Sequence, residues 1–310
     1  MRTTIDLPEA VTRRAGSHGD AGARWLQALP GVIDEIERRW SISVGDALDG
    51  GSAAFVAPAT TAAGDPVVVK IAFPDELDDG AFSQSVRAYE LAAGRGCATL
   101  LAHDAELSAI LLERLGRTLS SLGLPTVRQV EIICETVRQV WVPVPAETTL
   151  PTGEEKARWL ADFIAKTWEA LDRPCSARAV DIALEFAAQR AAAFDRASAV
   201  LVHGDAHELN TLEVERGAFK LVDPEGLISE PAHDLAVPMR GLNDDLLAGD
   251  AHRLGLERAR FIADLTGVDE TAIWQWGFVE RVSSGLHVMS LGLSGGDEFL
   301  AVADRWAESS

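Results

Sequence analysis

The sequence predicts an α+β chain of two lobes, a small β-rich lobe followed by a mostly helical one. Three observations lead there. Between Trp40 and Phe73 the apolar residues come in short runs separated by turn residues, which is the texture of hairpins. After Leu115 the apolar spacing becomes helical almost throughout. One interval, 199–222, interrupts that helical stretch with two short apolar runs around a dense polar loop.

Taken in order, Trp25, Leu26, Leu29, Val32, Ile33, Ile36 and Trp40 recur at helical spacing, and Pro30-Gly31 predicts two helices or a kink. Ser41–Leu48 reads as a strand, Asp49-Gly50-Gly51-Ser52 as a tight turn, and Ala53–Ala59 as the return strand. The turn Ala63-Gly64-Asp65 leads into Pro66–Phe73, the clearest strand of the chain. Phe82, Val86 and Tyr89 mark one face of a helix ended by Gly94 and Gly96. Strands are expected at Ala98–Ala102 and Ala109–Leu115, then helices at Pro125–Val142, Gly153–Leu171 and Ala177–Phe194, with three or four more after Pro231. Val200–Val202 and Phe219–Val222 read as short strands. The expected division is a helical segment 1–40, a β-rich lobe 41–115 and a helical lobe 116–310, with the boundary between Gly116 and Pro125.

Composition narrows the function classes. The chain has 310 residues, with 28 Lys and Arg against 48 Asp and Glu, a formal net charge of −20. That field repels nucleic acid and anionic membranes and favours a cationic small molecule as partner. With 47% apolar residues the chain can bury a substantial core, which excludes disorder. Cys97, Cys134 and Cys175 are far apart and form no CxxC pair, so neither a disulfide framework nor a thiolate zinc site is expected. The opening MRTTIDLPEA is charged where a signal peptide is apolar, and no window has the length of a membrane helix. The expectation is a reduced, cytoplasmic protein; nothing in the sequence addresses its oligomeric state.

The polar loop is His203-Gly204-Asp205-Ala206-His207-Glu208-Leu209-Asn210, and the next strand ends in Asp223-Pro224-Glu225-Gly226. Phosphoryl transfer needs a carboxylate to orient and deprotonate the attacking hydroxyl, and oxygen ligands for magnesium. Asp205 and Asn210 are five residues apart, the spacing of base and magnesium-binding amide in a kinase catalytic loop. Asp223 sits where a second strand delivers a metal-binding carboxylate. A lone Asp in a loop is most often a turn former, so the combined pattern carries the argument rather than any single member. His203 and His207 have a zinc-ligand spacing, but the residue after His203 is glycine, not the glutamate of HExxH.

Upstream, Lys70 is the sole lysine of the first 155 residues and lies inside an apolar strand. Burying an ammonium there is costly unless a counter-charge meets it, and a kinase fold needs a lysine at that place for nucleotide phosphates. The plainer reading is a strand-end lysine whose head reaches solvent. The turn 49–52 could close over phosphates through backbone N–H groups and the Ser52 hydroxyl, although it is neither GxGxxG nor a Walker sequence. Gly292-Leu293-Ser294-Gly295-Gly296 fits GxSxG only on paper, because no strand precedes it, and it reads as a loop between helices.

Together Val68-Val69-Lys70, Leu111-Leu112-Glu113-Arg114-Leu115, the 203–210 loop and Leu221–Gly226 resemble the aminoglycoside phosphotransferase family, small-molecule kinases with a two-lobed protein-kinase-like fold. Trp25–Pro30, Leu100–Asp104 and Glu230–Ala236 are similar to its streptomycin 6-phosphotransferase and hydroxyurea phosphotransferase branch. The resemblance implies Asp205 as catalytic base, Asn210 and Asp223 as magnesium ligands, and Lys70 as the phosphate lysine. It also implies Ser52 in a phosphate loop, the backbone of Glu113–Leu115 against adenine, and Asp234 as a structural brace. The expected cofactors are ATP or GTP with magnesium, in a nucleotide-binding lobe 41–115 and an acceptor-binding lobe 116–310. Glu208, Glu225 and Glu230, with Asp244 and Asp245, could face a cationic acceptor. Two departures stand out: the helix position that carries a lysine-pairing glutamate in many relatives falls near Ser85, with Glu90 the nearest carboxylate, and Glu208-Leu209 replaces small residues or proline. The alternatives are a metabolic kinase for a sugar or amino sugar, and a pseudokinase that binds without catalysing.

Overall fold

A computed structural model gives the structure of the protein and describes residues 5–48 and 54–308. The chain divides into two compact units after Gly116. The expected turn 49–52, Ser52 included, lies outside the described residues.

The first unit runs α1 (Glu9–Ser17), α2 (Gly19–Trp40), β1 (Ile42–Val44), β2 (Ala54–Thr61), β3 (Pro66–Ala72), α3 (Ala81–Ala92), β4 (Leu100–Asp104) and β5 (Ala109–Glu113). The strands form one antiparallel sheet in the order β1-β2-β3-β5-β4. Side chains alternate across a sheet, so Val67, Val69 and Ile71 of β3 share one face. That face joins Phe55, Ala57, Ala109 and Leu111 to Leu29, Ile33 and Ile36 of α2 in a single core. Lys70 belongs to the opposite face, between its register partners Val56 and Ile110.

Of the two expectations at Pro30-Gly31, two helices or a kink, the division into two helices is corrected: α2 runs unbroken through Pro30 as one helix of 22 residues. An interior proline costs about 3 kcal/mol. Burying Leu29, Ile33 and Ile36, which flank it, contributes about 1.5–3 kcal/mol each, so the apolar stripe outweighs the lost hydrogen bond. The strand expected over Ser41–Leu48 is only three residues long. Beyond Val44 the pairing turns irregular, with Gly45 N–H donating to Pro58 O at 2.7 Å and Leu48 N–H to Val56 O at 2.7 Å.

The second unit runs α4 (Thr126–Val137), α5 (Gly153–Ala170), α6 (Ala177–Ala193), β6 (Val200–Val202), β7 (Thr211–Glu213), β8 (Phe219–Leu221), β9 (Leu227–Ser229), α7 (Ala232–Arg240), α8 (Asn243–Leu247), α9 (Ala251–Thr266), α10 (Glu270–Ser290) and α11 (Gly296–Glu308). The two expected strands do not pair with each other; β6 pairs with β9, and β7 with β8. Segment 292–295 is the loop between α10 and α11.

Helix α10 is apolar nearly all round and buried along most of its length, as expected of the central helix of a bundle. It packs most extensively on α7. The approach is close enough that a Cβ placed on Gly277 would lie 2.6 Å from Met239 Cβ. This contact sets Arg240, next in the chain to Met239, against Glu280, three residues along α10 from Gly277. Gly277→Ala is therefore expected to lower stability by about 1–3 kcal/mol through overpacking, read as a fall in the urea midpoint. An unchanged midpoint would show that α7 and α10 separate freely.

Candidate active site

In the second unit the polar loop is built between β6 and β7, and a buried carboxylate holds it. Asp234, fully buried near the start of α7, accepts from the backbone N–H of His203 (2.9 Å), the N–H of Gly204 (2.7 Å) and the indole Nε1 of Trp141 (2.9 Å). Burial pushes its carboxyl up to about 6 even though the three donors act to lower it. Gly204 has φ +87°, and a Cβ there would lie 3.0 Å from Glu225 Cβ, so both conformation and space call for glycine.

His203 joins the loop to the following strand. Its Nδ1 accepts from Asp205 N–H at 3.2 Å, which leaves the proton on Nε2 to donate to Val222 O at 2.9 Å. Both ring nitrogens are thereby used, so His203 has no lone pair for zinc. Burial lowers its pKa to about 4 and keeps it neutral. Among the described residues no group of three His, Cys, Asp or Glu side chains could hold a metal ion by itself.

Asp205, Asn210 and Asp223 come together through this scaffold. Asn210 Nδ2 donates to Asp205 O (3.0 Å) and Oδ2 (3.1 Å), and Val222 N–H donates to Asn210 O at 2.9 Å, which brings Asp223 alongside. The amide nitrogen of Asn210 is committed to Asp205, so the side-chain oxygen is its remaining polar atom. Asn210 and Asp223 thus offer the hard oxygen donors that suit magnesium, an ion commonly held by one or two protein ligands together with phosphates and water. Burial acts to raise the Asp205 pKa, but Arg240 and His207 outweigh it and hold the carboxyl well below the usual range. Arg240 Nη2 donates to Asp205 Oδ1, and His207 Nε2 lies 3.4 Å from Oδ2.

The other expected residues are more dispersed. Glu225 accepts from Lys156 Nζ at 2.8 Å, and its N–H donates to His203 O at 2.9 Å. Glu230 accepts from Arg190 at 3.3 Å and from Trp276 Nε1 at 2.9 Å, a set of partners that ties it into the fold. Glu208 accepts through its carbonyl from Ser120 N–H at 3.2 Å, and its side chain is half-exposed. Asp244 and Asp245 are exposed on α8.

In the first unit, Lys70 is half-buried on β3. Glu90 directs its oxygens to Arg87 (3.1 Å) and His103 (3.7 Å), and Ser85 Oγ is buried without a hydrogen-bond partner among the described residues. Glu113 closes β5, where its Oε1 accepts from the N–H (2.6 Å) and hydroxyl (2.7 Å) of Thr99. Leu115 follows in an irregular, half-buried position.

Sequence reasoning missed Arg240, Glu280 and Lys156. Arg240 and Glu280 did leave a signal, since each interrupts an apolar run, and a charge in such a run needs a partner.

Comparison with known proteins agrees with this geometry. Residues 39–292 match the family described as aminoglycoside/hydroxyurea antibiotic resistance kinase. The chain belongs to this family. It is 28% identical over 296 residues to the streptomycin 6-kinase of Streptomyces glaucescens, covering 91% of this chain and 90% of that one. It is 30% identical to the hydroxyurea phosphotransferase of Kitasatospora aureofaciens, covering 87% and 80%. Among solved structures, a spectinomycin phosphotransferase in complex with ADP and spectinomycin superposes with a TM-score of 0.54 at 14% identity, covering 90% of this chain and 93% of that one. The family read from residues 68–70, 111–115, 203–210 and 221–226 is borne out, as is the branch read from 25–30, 100–104 and 230–236, and the fold is that of the kinase-like phosphotransferases. The chain is a small-molecule kinase.

A pH test isolates the buried polar floor beneath this site. His233 is fully buried edge-on against Trp276, and burial lowers its pKa to about 3. A base held neutral in the fold stabilises it fully above the unfolded value of about 6.5, and that stability is lost as the pH falls and the unfolded chain takes up the proton. Between pH 7 and 5 the parent is expected to lose about 2 kcal/mol more than His233→Phe, from urea titrations at both pH values. Equal losses would show that His233 does not carry this dependence.

Proposed function

We propose that the chain is an ATP- and magnesium-dependent O-phosphotransferase whose acceptor is a small polar hydroxyl compound bearing cationic groups, of the aminoglycoside type such as streptomycin. The observation that carries the reading is the contact of Asn210 Nδ2 with Asp205 at 3.0 and 3.1 Å, in a loop that also brings Asp223 alongside. In this reading Asp205 is the base, Asn210 and Asp223 hold magnesium, and Lys70 takes the nucleotide phosphates. The backbone of Glu113–Leu115 receives adenine, and Ser52 belongs to the phosphate loop.

Magnesium, when bound with the nucleotide, offsets charge on the transferred phosphoryl group. Asp205 orients the acceptor hydroxyl and takes its proton as the oxygen bonds to the γ-phosphorus. The bond to the β-phosphate oxygen breaks, and the nucleoside diphosphate leaves. The low pKa of Asp205 suits this role, because a largely dissociative transfer asks for orientation more than for a strong base.

Streptomycin as acceptor rests on the name of the 28% identical relative and on the acidic balance of the chain. One observation favours a second reading. Glu225 and Glu230 are already paired with Lys156 and Arg190, which leaves less negative field for a polycation and suits a neutral or singly charged acceptor, such as a sugar or amino sugar. Streptomycin, hydroxyurea and glucosamine assayed in parallel with radiolabelled ATP, and with GTP as competitor, separate the two. Phosphate transfer to streptomycin alone supports the first reading, and transfer to glucosamine with none to streptomycin overturns it.

Asp205→Asn is expected to lower turnover by about 10²–10⁴-fold with ADP affinity retained, because an amide cannot accept the proton. Asp223→Ala should in addition weaken magnesium-nucleotide binding. Near-normal turnover in both variants would remove the loop from catalysis.

Lys70→Met keeps a long apolar side chain in β3. It should lose about 10–100-fold in nucleotide affinity, since a desolvated charge-assisted contact is worth about 1.5–3 kcal/mol. A neutral effect on affinity and turnover, measured by calorimetry and steady-state kinetics, would make Lys70 a strand lysine reaching solvent.

A further inference from the structure

The carboxylate of Asp205 is not held by its own loop alone. Arg240, the last residue of α7, divides its guanidinium between two carboxylates: Nη2 donates to Asp205 Oδ1, and Nη1 donates to Glu280 Oε2 at 3.0 Å. Glu280 is buried in α10, only 4% accessible, where an unpaired charge would be costly. The planar guanidinium presents its donors in a fixed fork, so anchoring one nitrogen dictates where the other points. On the other side of Asp205, Oδ2 accepts from Asn210 Nδ2 at 3.1 Å with His207 at 3.4 Å.

We propose that Glu280 is a positioning residue for phosphoryl transfer: by occupying one arm of Arg240 it limits Arg240 to a single hydrogen bond with Asp205. The proposal rests on Asp205 being the base. A carboxylate and a guanidinium left to themselves favour two parallel hydrogen bonds. With the charge of Glu280 removed, as by Gln, whose amide oxygen is the weaker acceptor, that arm of Arg240 turns to the remaining carboxylate at Oδ2 and competes there with Asn210 and the acceptor hydroxyl. Glu280 thus keeps an arginine beside the base without letting it close over the base. The close packing of α7 on α10 at Gly277 and Met239 fixes the distance over which this works.

The test uses the full-length protein with magnesium-ATP and streptomycin, together with ADP calorimetry. Glu280→Gln is expected to lower kcat by about 30–100-fold, the scale of a 1 Å misplacement, while KM for ATP and ADP affinity stay within about 2-fold. Glu280→Asp should recover most of that loss. In an Arg240→Gln background the same Glu280→Gln change should have no further effect. A purely structural Glu280 would instead give losses that add across the two backgrounds, and that result overturns the proposal, as does a folded Glu280→Gln enzyme of parental kcat. Should Glu280→Gln fail to fold, Arg240→Lys keeps the charge and removes the fork. It should lower kcat about 10-fold or more, and an unchanged kcat overturns the proposal.

A crystal structure of Glu280→Gln gives a readout independent of the acceptor. Arg240 bonded to both Asp205 oxygens supports the proposal, and a single bond to Oδ1 overturns it. Asp205→Asn measured alongside separates the two levels. An active Asp205→Asn enzyme overturns the base assignment and this inference together, whereas an inactive one beside an unaffected Glu280→Gln overturns this inference alone.

Discussion

One buried carboxylate organises the second unit. Asp234 sits without solvent contact and accepts three N–H donors, two of them from consecutive residues of the 203–210 loop. Those two donors could not both be satisfied by a neighbouring strand, because the chain turns at Gly204. Burying the carboxylate is expensive, and only convergence of the donors offsets it. The loop therefore has one conformation in which Asp234 is tolerable, and that conformation places Asp205 and Asn210 in contact. His203 adds the second tie, from the loop to Val222, and so fixes Asp223 relative to Asn210. Neither Asp234 nor His203 needs to touch a substrate for the site to depend on both.

The same unit shows how far a charge count misleads. The chain carries a net charge of −20, yet several carboxylates around the loop are paired with buried or half-buried cations. Lys156 faces Glu225, Arg190 faces Glu230, and Arg240 lies between Asp205 and Glu280. Other carboxylates, such as Asp244 and Asp245 on α8, are exposed, where solvent screens them. Net charge describes the long-range field around the molecule. Recognition at the site is set by these internal pairings, which partly cancel that field where an acceptor would bind.

Most of the fold was legible in the sequence because its long elements carry periodicity. Strand β3 and helices α5 and α6 lie within a residue or two of where their spacing puts them. The failures have physical causes. Strands β7 and β9 are three residues each, too short for alternation to register, and their pairing depends on the loop ties just described. Pro30 reads locally as a break, but the core contacts on either side of it override local preference. For the candidate site, Asp205, Asn210 and Asp223 were legible because their spacing is local and chemically specific. Arg240 and Glu280 were not. They lie 35 and 75 residues beyond Asp205, and only the packing of α7 on α10 brings them together.

Asp223 carries a last trace of how the site is built. Its φ is +58°, the left-handed region that L-residues other than Asn and Asp seldom adopt. The residue before a proline is also normally driven to extended backbone, and Pro224 follows directly. The pre-proline preference is thus overridden, at a residue type that tolerates the left-handed region better than most. What holds the conformation is visible on both sides of it: Val222 N–H is bonded to Asn210 O, and Glu225 N–H to His203 O at 2.9 Å. The turn at Asp223 is what allows a chain leaving β8 to return to His203 within three residues. A strained position that persists because its neighbours over-determine it is characteristic of functional sites. Here the neighbours that do so are His203 and Asn210, members of the loop that Asp234 holds.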